Sequence, residues 1–281
     1  MAIIGDDLTG AMDSSGHFAR LGYSTTVLLD PGLTADSDVV AVTTNSRAET
    51  PVNACQRVRL AVRGLANRII FKKIDSTLRG NIGEELNSVI EELGSEKAIV
   101  APAFPAMGRT TVKGVLLVDG VEVAKTQFAE DPVIPVRESH IPALIERSTG
   151  HRVACLPLKD IEAGPEFLYK RISSLPQRIV VCDVTAQSHL ASIARAANFA
   201  GTRWLLCGST GLAREMHVFF GKTVSSRASH PAEPRKGQSI VVVGSRHHVS
   251  AEQLRDAGER IGLTILDLET TLLSQESGRS Q

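Results

Sequence analysis

Short apolar runs rich in β-branched residues alternate along the chain with longer stretches whose apolar positions recur every three or four residues. The runs Ala2 to Ile4, Thr25 to Leu29, Val39 to Thr43, Arg68 to Lys72, Lys97 to Ala101, Ile179 to Cys182 and Trp204 to Cys207 read as buried strands. Between them, Leu8, Ala11, Met12, Ser15, Phe18 and Ala19 form one helical face closed by Gly22, and Val52, Cys55, Val62 and Leu65 form another after Pro51. Ile82, Leu86, Val89, Ile90 and Leu93 make a third stripe; later ones run through Leu190, Ile193 and Ala197, then Leu212, Met216 and Phe219. Strand followed by helix, repeated, predicts an α/β protein with a mainly parallel sheet and helices on both faces. Ligands of such a fold bind at the carboxyl ends of the strands.

Two segments interrupt the alternation. Val115 to Val118, Asp119-Gly120 and Val121 to Ala124 predict a β-hairpin insertion, suited to a lid or a homodimer contact. Residues 221–238 are polar, contain Pro231 and Pro234 and show no apolar period, so they read as a linker. The chain is thereby expected to hold a first domain over residues 1–220 and the start of a second α/β domain over 239–281. That second part is read as a strand from Ser239 to Val243, a helix from about Ser250 to Ile261 and a short strand from Leu263 to Leu266. Its size is close to the roughly 40 residues below which a domain rarely folds without staples, so it reads as an incomplete unit.

Composition narrows the function classes. At 42% hydrophobic and 22% charged, the 281 residues are those of a folded globular protein, not a disordered one. The 31 basic residues are balanced by 31 acidic ones, so no global field draws the chain to nucleic acid or to an anionic membrane. Cys55, Cys155, Cys182 and Cys207 are too scattered for a metal-type pair or a disulfide framework, which suits a reducing cytoplasm. The opening MAIIGDDLTG lacks a basic region and no apolar run reaches transmembrane length, so neither export nor membrane insertion is expected.

The candidate chemistry gathers at predicted strand ends. Gly5-Asp6-Asp7-Leu8-Thr9-Gly10 places two carboxylates at the start of the first helix, where they could cap it or bind substrate hydroxyls or a metal. Lys72-Lys73-Ile74-Asp75-Ser76-Thr77-Leu78-Arg79-Gly80-Asn81 concentrates three cations, a carboxylate, two hydroxyls and an amide after the strand RIIFKK. That set suits a small polyhydroxylated anion: Arg79 can grip a carboxylate, a lysine adds a point charge, and Asp75 and Asn81 can bond hydroxyls. Asn45-Ser46-Arg47 and the proline-bounded segment Ala101 to Thr110, with Arg109, occupy two further strand ends. Gly208-Ser209-Thr210-Gly211 reads equally as a phosphate-sized nest or a plain strand-to-helix turn. No dinucleotide fingerprint, Walker loop, HExxH or nucleophile elbow occurs, and His247-His248 carries no metal reading.

Taken together, IIGDDLTGAMDSSGHFARLGY, NSR, FKKIDSTLRGN, APAFPAMGRTTVKGVLLVDG with the downstream DPVIPVRES, and GSTGL resemble the four-carbon acid sugar kinase family, once catalogued as a domain of unknown function. The resemblance runs in order over about residues 1 to 220 and weakly onward. It implies an N-terminal domain for the sugar acid and a C-terminal domain for the nucleotide, with ATP and Mg²⁺ used to phosphorylate threonate, erythronate or 3-oxo-tetronates. It also implies that Asp6, Asp7, Arg47, Lys73, Asp75, Ser76, Arg79, Asn81 and Arg109 line the substrate pocket. Asp7 or Asp75 would orient or deprotonate the attacking hydroxyl. Gly244 and Ser245 match the turn that opens the family's nucleotide domain, whereas Arg246 and His247 depart from it, and the family's later glycine-rich loops have no counterpart. The competing expectation is a non-catalytic sugar-acid-binding remnant. An aldolase acting on hydroxy acids is less favoured, since no Schiff-base lysine or metal cluster is distinguishable.

Overall fold

The computed structural model describes residues 1–221, 240–244 and 248–267. β1 (Ala2–Gly5) leads through α1 (Leu8–Arg20) to β2 (Thr25–Leu28) and β3 (Val39–Thr43), and α2 (Pro51–Leu65) returns the chain to β4 (Ile70–Lys73). α3 (Ile82–Leu93) and β5 (Lys97–Ala101) follow, then β6 (Arg109–Val112), β7 (Val115–Val118) and β8 (Val121–Glu122). The remaining elements of this unit are α4 (Ile141–Thr149), β9 (Val153–Leu156), α5 (Leu158–Glu162), α6 (Pro165–Ser174), β10 (Ile179–Cys182), α7 (Gln187–Ala200), β11 (Trp204–Gly208) and α8 (Thr210–Ala213).

Eight strands form one sheet in the order β2-β3-β1-β4-β11-β5-β10-β9, and every pairing within it is parallel. Its central strands are buried along their whole length, as continuous apolar runs require when both faces are covered. Ile3, Phe18, Phe71, Ile193 and Leu206 belong to the core beneath α1 and α5 to α8. Ile4, Val62, Leu86, Val100 and Ile145 belong to the opposite core beneath α2, α3 and α4. The strand order reverses between β1 and β4, and the helices that follow these two strands lie on opposite faces. In folds of this kind ligands bind over the carboxyl ends at such a reversal.

The insertion is a three-stranded antiparallel sheet, β6-β7-β8, rather than a single hairpin. Its two turns, Lys113-Gly114 (φ 53° and 74°) and Asp119-Gly120 (φ 49° and 82°), have the paired positive φ of tight two-residue turns. Only the Asp-Gly signal was legible; Lys-Gly succeeds because Asp183, just past β10, accepts hydrogen bonds from both Lys113 N (2.7 Å) and Gly114 N (2.8 Å). Thr111 and Val184 exchange backbone hydrogen bonds beside this anchor, tying the insertion to the main sheet.

Several sequence expectations shift. The buried face of α1 is Gly10, Ala11, Ser14, Ser15 and Phe18, while Leu8 and Met12 are exposed. α1 sits too close to β4 for large side chains: a Cβ on Gly10 would stand 2.7 Å from Lys73 Nζ, and Ser14 Oγ meets Thr210 Oγ1 at 3.1 Å. Val52 is likewise exposed on α2, whose buried positions include Val58 and Ala61. β9 escaped the sequence reading because a four-residue edge strand after an exposed His151-Arg152 has little apolar contrast.

By its internal contacts the chain divides into Met1–Ser229 and His230–Gln281. In the second unit α9 (His248–Ile261) ends at Gly262, whose N–H donates to Gly258 O at 3.0 Å. The strands expected at 239–243 and 263–266 are not formed among the described residues: Ile240, Val242 and Leu266 are exposed and their backbones make no ladder. Extended backbone becomes a strand only when a neighbour supplies the ladder. No helix among the described residues is long and apolar enough to cross a membrane.

Candidate active site

Asp6 leaves β1 buried, and the loop after β3 wraps over it, with Ser46 N and Arg47 N donating to Asp6 O at 2.9 and 3.3 Å. This brings the Arg47 guanidinium onto the carboxylate as a fork: Nε to Oδ2 at 2.7 Å and Nη2 to Oδ1 at 3.0 Å. The same Nη2 lies 2.8 Å from Asp7 Oδ1 and 3.9 Å from Asp75 Oδ1. Burial opposes the charge of Arg47, but the Asp6 hydrogen bonds and the three carboxylates outweigh it and hold its pKa above the ordinary value. Asp7 also caps α1, its Oδ1 accepting from Gly10 N at 2.9 Å. Gly80, at φ +100°, lets the loop after β4 press onto this pair, since a Cβ there would stand 3.3 Å from both Asp6 Oδ2 and Arg47 Cγ.

Asp75 starts that loop and turns back on it. Its carboxylate accepts from Arg79 Nε (2.8 Å), from Arg79 Nη2 (3.3 Å) and from the Thr77 hydroxyl. Burial pushes the Asp75 pKa up, yet Arg79, Arg47 and Thr77 together drive it well below the usual carboxylate range. Arg79 is further committed to Asp131 Oδ2 at 3.3 Å and lies 5.6 Å from the Phe128 ring centroid.

Strand pleating sends the two lysines of β4 to opposite faces. Lys72 is fully buried toward α3, with Nζ 2.7 Å from Glu85 Oε2 and further bonds to Lys73 O (3.0 Å) and Ile4 O (3.4 Å). Glu85 also accepts from Ser46 Oγ at 2.6 Å, so this buried pair braces the ends of β1 and β4 and the loop that carries Arg47. Burial opposes the Lys72 charge, but Glu85 prevails and holds its pKa up. Lys73 faces α1 and donates to Ile74 O at 2.9 Å. Burial lowers its pKa, against the pull of Asp6, Asp75 and Asp7.

The other expected residues divide. Arg109 opens β6 near the same charges; burial lowers its pKa, opposed by Asp75, and its Nε is enclosed without a partner. Asn81 spends its amide hydrogens on Ser46 O (3.1 Å) and Glu49 O (3.0 Å), which fixes the Arg47 loop instead of offering donors to a ligand. Ser76 is half-buried in the Asp75 loop. The Gly-Ser-Thr-Gly turn is accounted for by packing: a Cβ on Gly208 would stand 2.3 Å from Ala101 O, and Ser209 Oγ donates to Ala103 O at 2.7 Å while capping Gly211 N at 3.1 Å. Gly244 lies exposed in the second unit, and Ser245 lies outside the described residues.

The sequence reading missed Glu85, Thr77 and Asp131 as parts of this network. Glu85 looks like an ordinary first-turn acid of α3, whereas Asp131 heads the DPVIPVRES block and carried that signal. Among the described residues no cluster of acidic, histidine or cysteine side chains could hold a metal ion. Asp6, Asp7 and Asp75 all answer to Arg47, so the acids of this cluster are paired with a cation instead of pooled.

A family model described as a sugar-binding N-terminal domain matches residues 1–216. The chain belongs to that family. Among its relatives, the D-erythronate kinase of Heliobacterium modesticaldum is 34% identical over 267 residues, covering 91% of this chain and 59% of the relative. The D-threonate kinase of Bordetella bronchiseptica is 35% identical over 278 residues, covering 92% of this chain and 63% of the relative. The chain thus spans about three fifths of the length of these curated relatives. A Bordetella bronchiseptica crystal structure, described as a domain of unknown function in a domain-swapped dimer with bound citrate, superposes with TM-score 0.71 at 34% identity, covering 79% of this chain and 56% of that one. The Haemophilus influenzae protein HI1011 shares the fold at TM-score 0.75 and 23% identity, covering 92% and 65% of the two chains.

Proposed function

We propose that residues 1–220 form the sugar-acid-binding domain of an ATP-dependent kinase that phosphorylates a hydroxyl of a four-carbon sugar acid of the threonate, erythronate or 3-oxo-tetronate class. The observation that carries this reading is the charge cluster over the carboxyl ends of β1 and β4, where Arg47 and Arg79 are neutralised by Asp6, Asp7, Asp75 and Asp131, with Arg109 in electrostatic reach and its buried Nε unpartnered. Such a surface offers carboxylates to hydroxyl groups and unspent positive charge to an anion. The kinase names of the relatives and the citrate bound in the Bordetella structure support the same ligand class. The dimer of that structure supports a second copy of the chain as partner.

Phosphoryl transfer depends on positioning and charge neutralisation, with Mg²⁺ arriving on the phosphates of ATP. The part of this cluster is to orient the hydroxyl. Asp75 is committed to Arg79 and Thr77. Asp7 uses Oδ1 for both Gly10 and Arg47, leaving Oδ2 uncommitted among the described residues. Asp7 is therefore the carboxylate assigned to the attacking hydroxyl, and Asp75 a positioning residue.

A coupled ADP-release assay with ATP and a panel of tetronates tests the proposal. Tetronate binding by calorimetry is expected together with weak turnover, and Asp7→Asn should lower that kcat by about 10²-fold or more with little change in KM. Absence of turnover together with absence of tetronate binding by calorimetry would sink the reading.

A further inference from the structure

An arginine that receives a ligand carboxylate must still have guanidinium hydrogens to give. Arg47 gives Nε and Nη2 to Asp6 and Asp7 and sits among three carboxylates, which leaves only its Nη1 edge. Arg79 is held by Asp75, Asp131 and the Phe128 ring, so the carboxylate grip expected of it from sequence is already filled by the protein itself.

Arg109 differs from both. Its backbone is pinned by two hydrogen bonds with Phe104, at 2.8 and 3.2 Å, and by pairing with Val118 across β6 and β7. Gly108 before it takes the left-handed φ of +68° that closes the turn ahead of β6. Asp75, Arg79 and Asp119 are the charged groups whose fields reach the Arg109 guanidinium. Among the described residues it forms no ion pair, and its Nε is buried without a hydrogen-bond partner. A buried N–H left unpaired is unfavourable unless a ligand or water completes it. Arg214 also has an unpartnered buried Nε, but its guanidinium stacks on Phe104 at 5.0 Å from the ring centroid and belongs to that contact.

We infer that Arg109, not Arg79, receives the carboxylate of the sugar acid and so makes the site choose an acid over the corresponding alcohol. This rests on the sugar-acid reading of the cluster. The hydroxyl-bearing carbons then extend from Arg109 across Asp75 toward Asp7, and the three-stranded insertion, not the loop after β4, sets the preference for a charged end group.

Calorimetry on the full chain tests this with D-threonate and D-erythronate, using threitol and erythritol as competitors. Arg109→Met should weaken tetronate binding about 30-fold or more and bring acid and alcohol to similar affinity. Arg109→Lys should fall between that variant and the parent, because an ammonium restores charge without the two-pronged fork. Arg214→Met should bind like the parent. If Arg109→Met does not fold by circular dichroism, Arg109→Lys carries the test, and parent-like affinity in it would overturn the inference. Tetronate affinity within about threefold of the parent in Arg109→Met would overturn it while leaving the sugar-acid reading intact. So would a loss that follows Arg214→Met instead. A parent chain that binds no tetronate would remove the reading and the inference together.

Discussion

Replacing Lys72 by methionine removes the cation from a pair in which both side chains are essentially inaccessible, at 0% and 1% exposure, with Nζ and Oε2 2.7 Å apart. Methionine fills most of the space, so the loss is electrostatic: Glu85 is left buried with only the Ser46 hydroxyl, and Ile4 O and Lys73 O lose a donor. Stranding one member of a buried pair costs about 3–5 kcal/mol. At about 2–4 °C per kcal/mol for a domain of this size, the melting temperature should fall by about 6–20 °C. Adding Glu85→Gln removes the stranded charge, and the double variant should recover to within about 2 kcal/mol of the parent. Lys72 has a raised pKa, so the contribution is complete below the ordinary lysine value of about 10.4 and declines only as alkali passes the raised one. Urea unfolding followed by far-ultraviolet circular dichroism at neutral pH measures each term. A single variant less than about 1 kcal/mol below the parent, or a double variant as unstable as the two singles summed, would refute the argument.

Asp75→Asn should cost about 2 kcal/mol at about pH 6 by loosening Arg79. Because the Asp75 pKa is depressed, its contribution is present above the ordinary carboxylate value of about 3.9 and fades as pH falls toward the depressed one. The stability gap between parent and variant should accordingly narrow between about pH 6 and pH 3, and a constant or widening gap in pH-dependent urea melts would contradict the assignment. Gly208→Ala would set a Cβ 2.3 Å from Ala101 O, so thermal melts should show a loss of about 1–3 kcal/mol, and an unchanged melting temperature would disprove the close approach.

The fold was legible wherever burial on both faces left uninterrupted apolar runs, as in β3, β5 and β10. Helix faces were less so. Period-based reasoning places large apolar residues inward, but the inward face of α1 borders charged groups and is built from Gly10, Ser14 and Ser15, which carry no hydrophobic signal. The cluster residues were found because polar residues at strand ends are conspicuous beside buried strands. Their division of labour was not, since sequence cannot show that Arg79 turns back on Asp75, that Asn81 serves a loop, or that Lys72 and Lys73 part company across the sheet. Those outcomes depend on loop conformations such as the positive φ of Leu78 (65°) and Gly80 (100°).

The single guanidinium of Arg47, shared among Asp6, Asp7 and Asp75, has a consequence for how such a protein can change over generations. Substitution of any one of the three acids alters the company of the other two, so their effects on fitness should be epistatic, not independent. Arg109 feels Asp75 but forms no ion pair with that node among the described residues, and it sits on an insertion with its own anchor at Asp183. On the inference drawn above, a lineage exploring new ligands has its least constrained route through that insertion, changing the end that meets Arg109 before the end that meets Asp7.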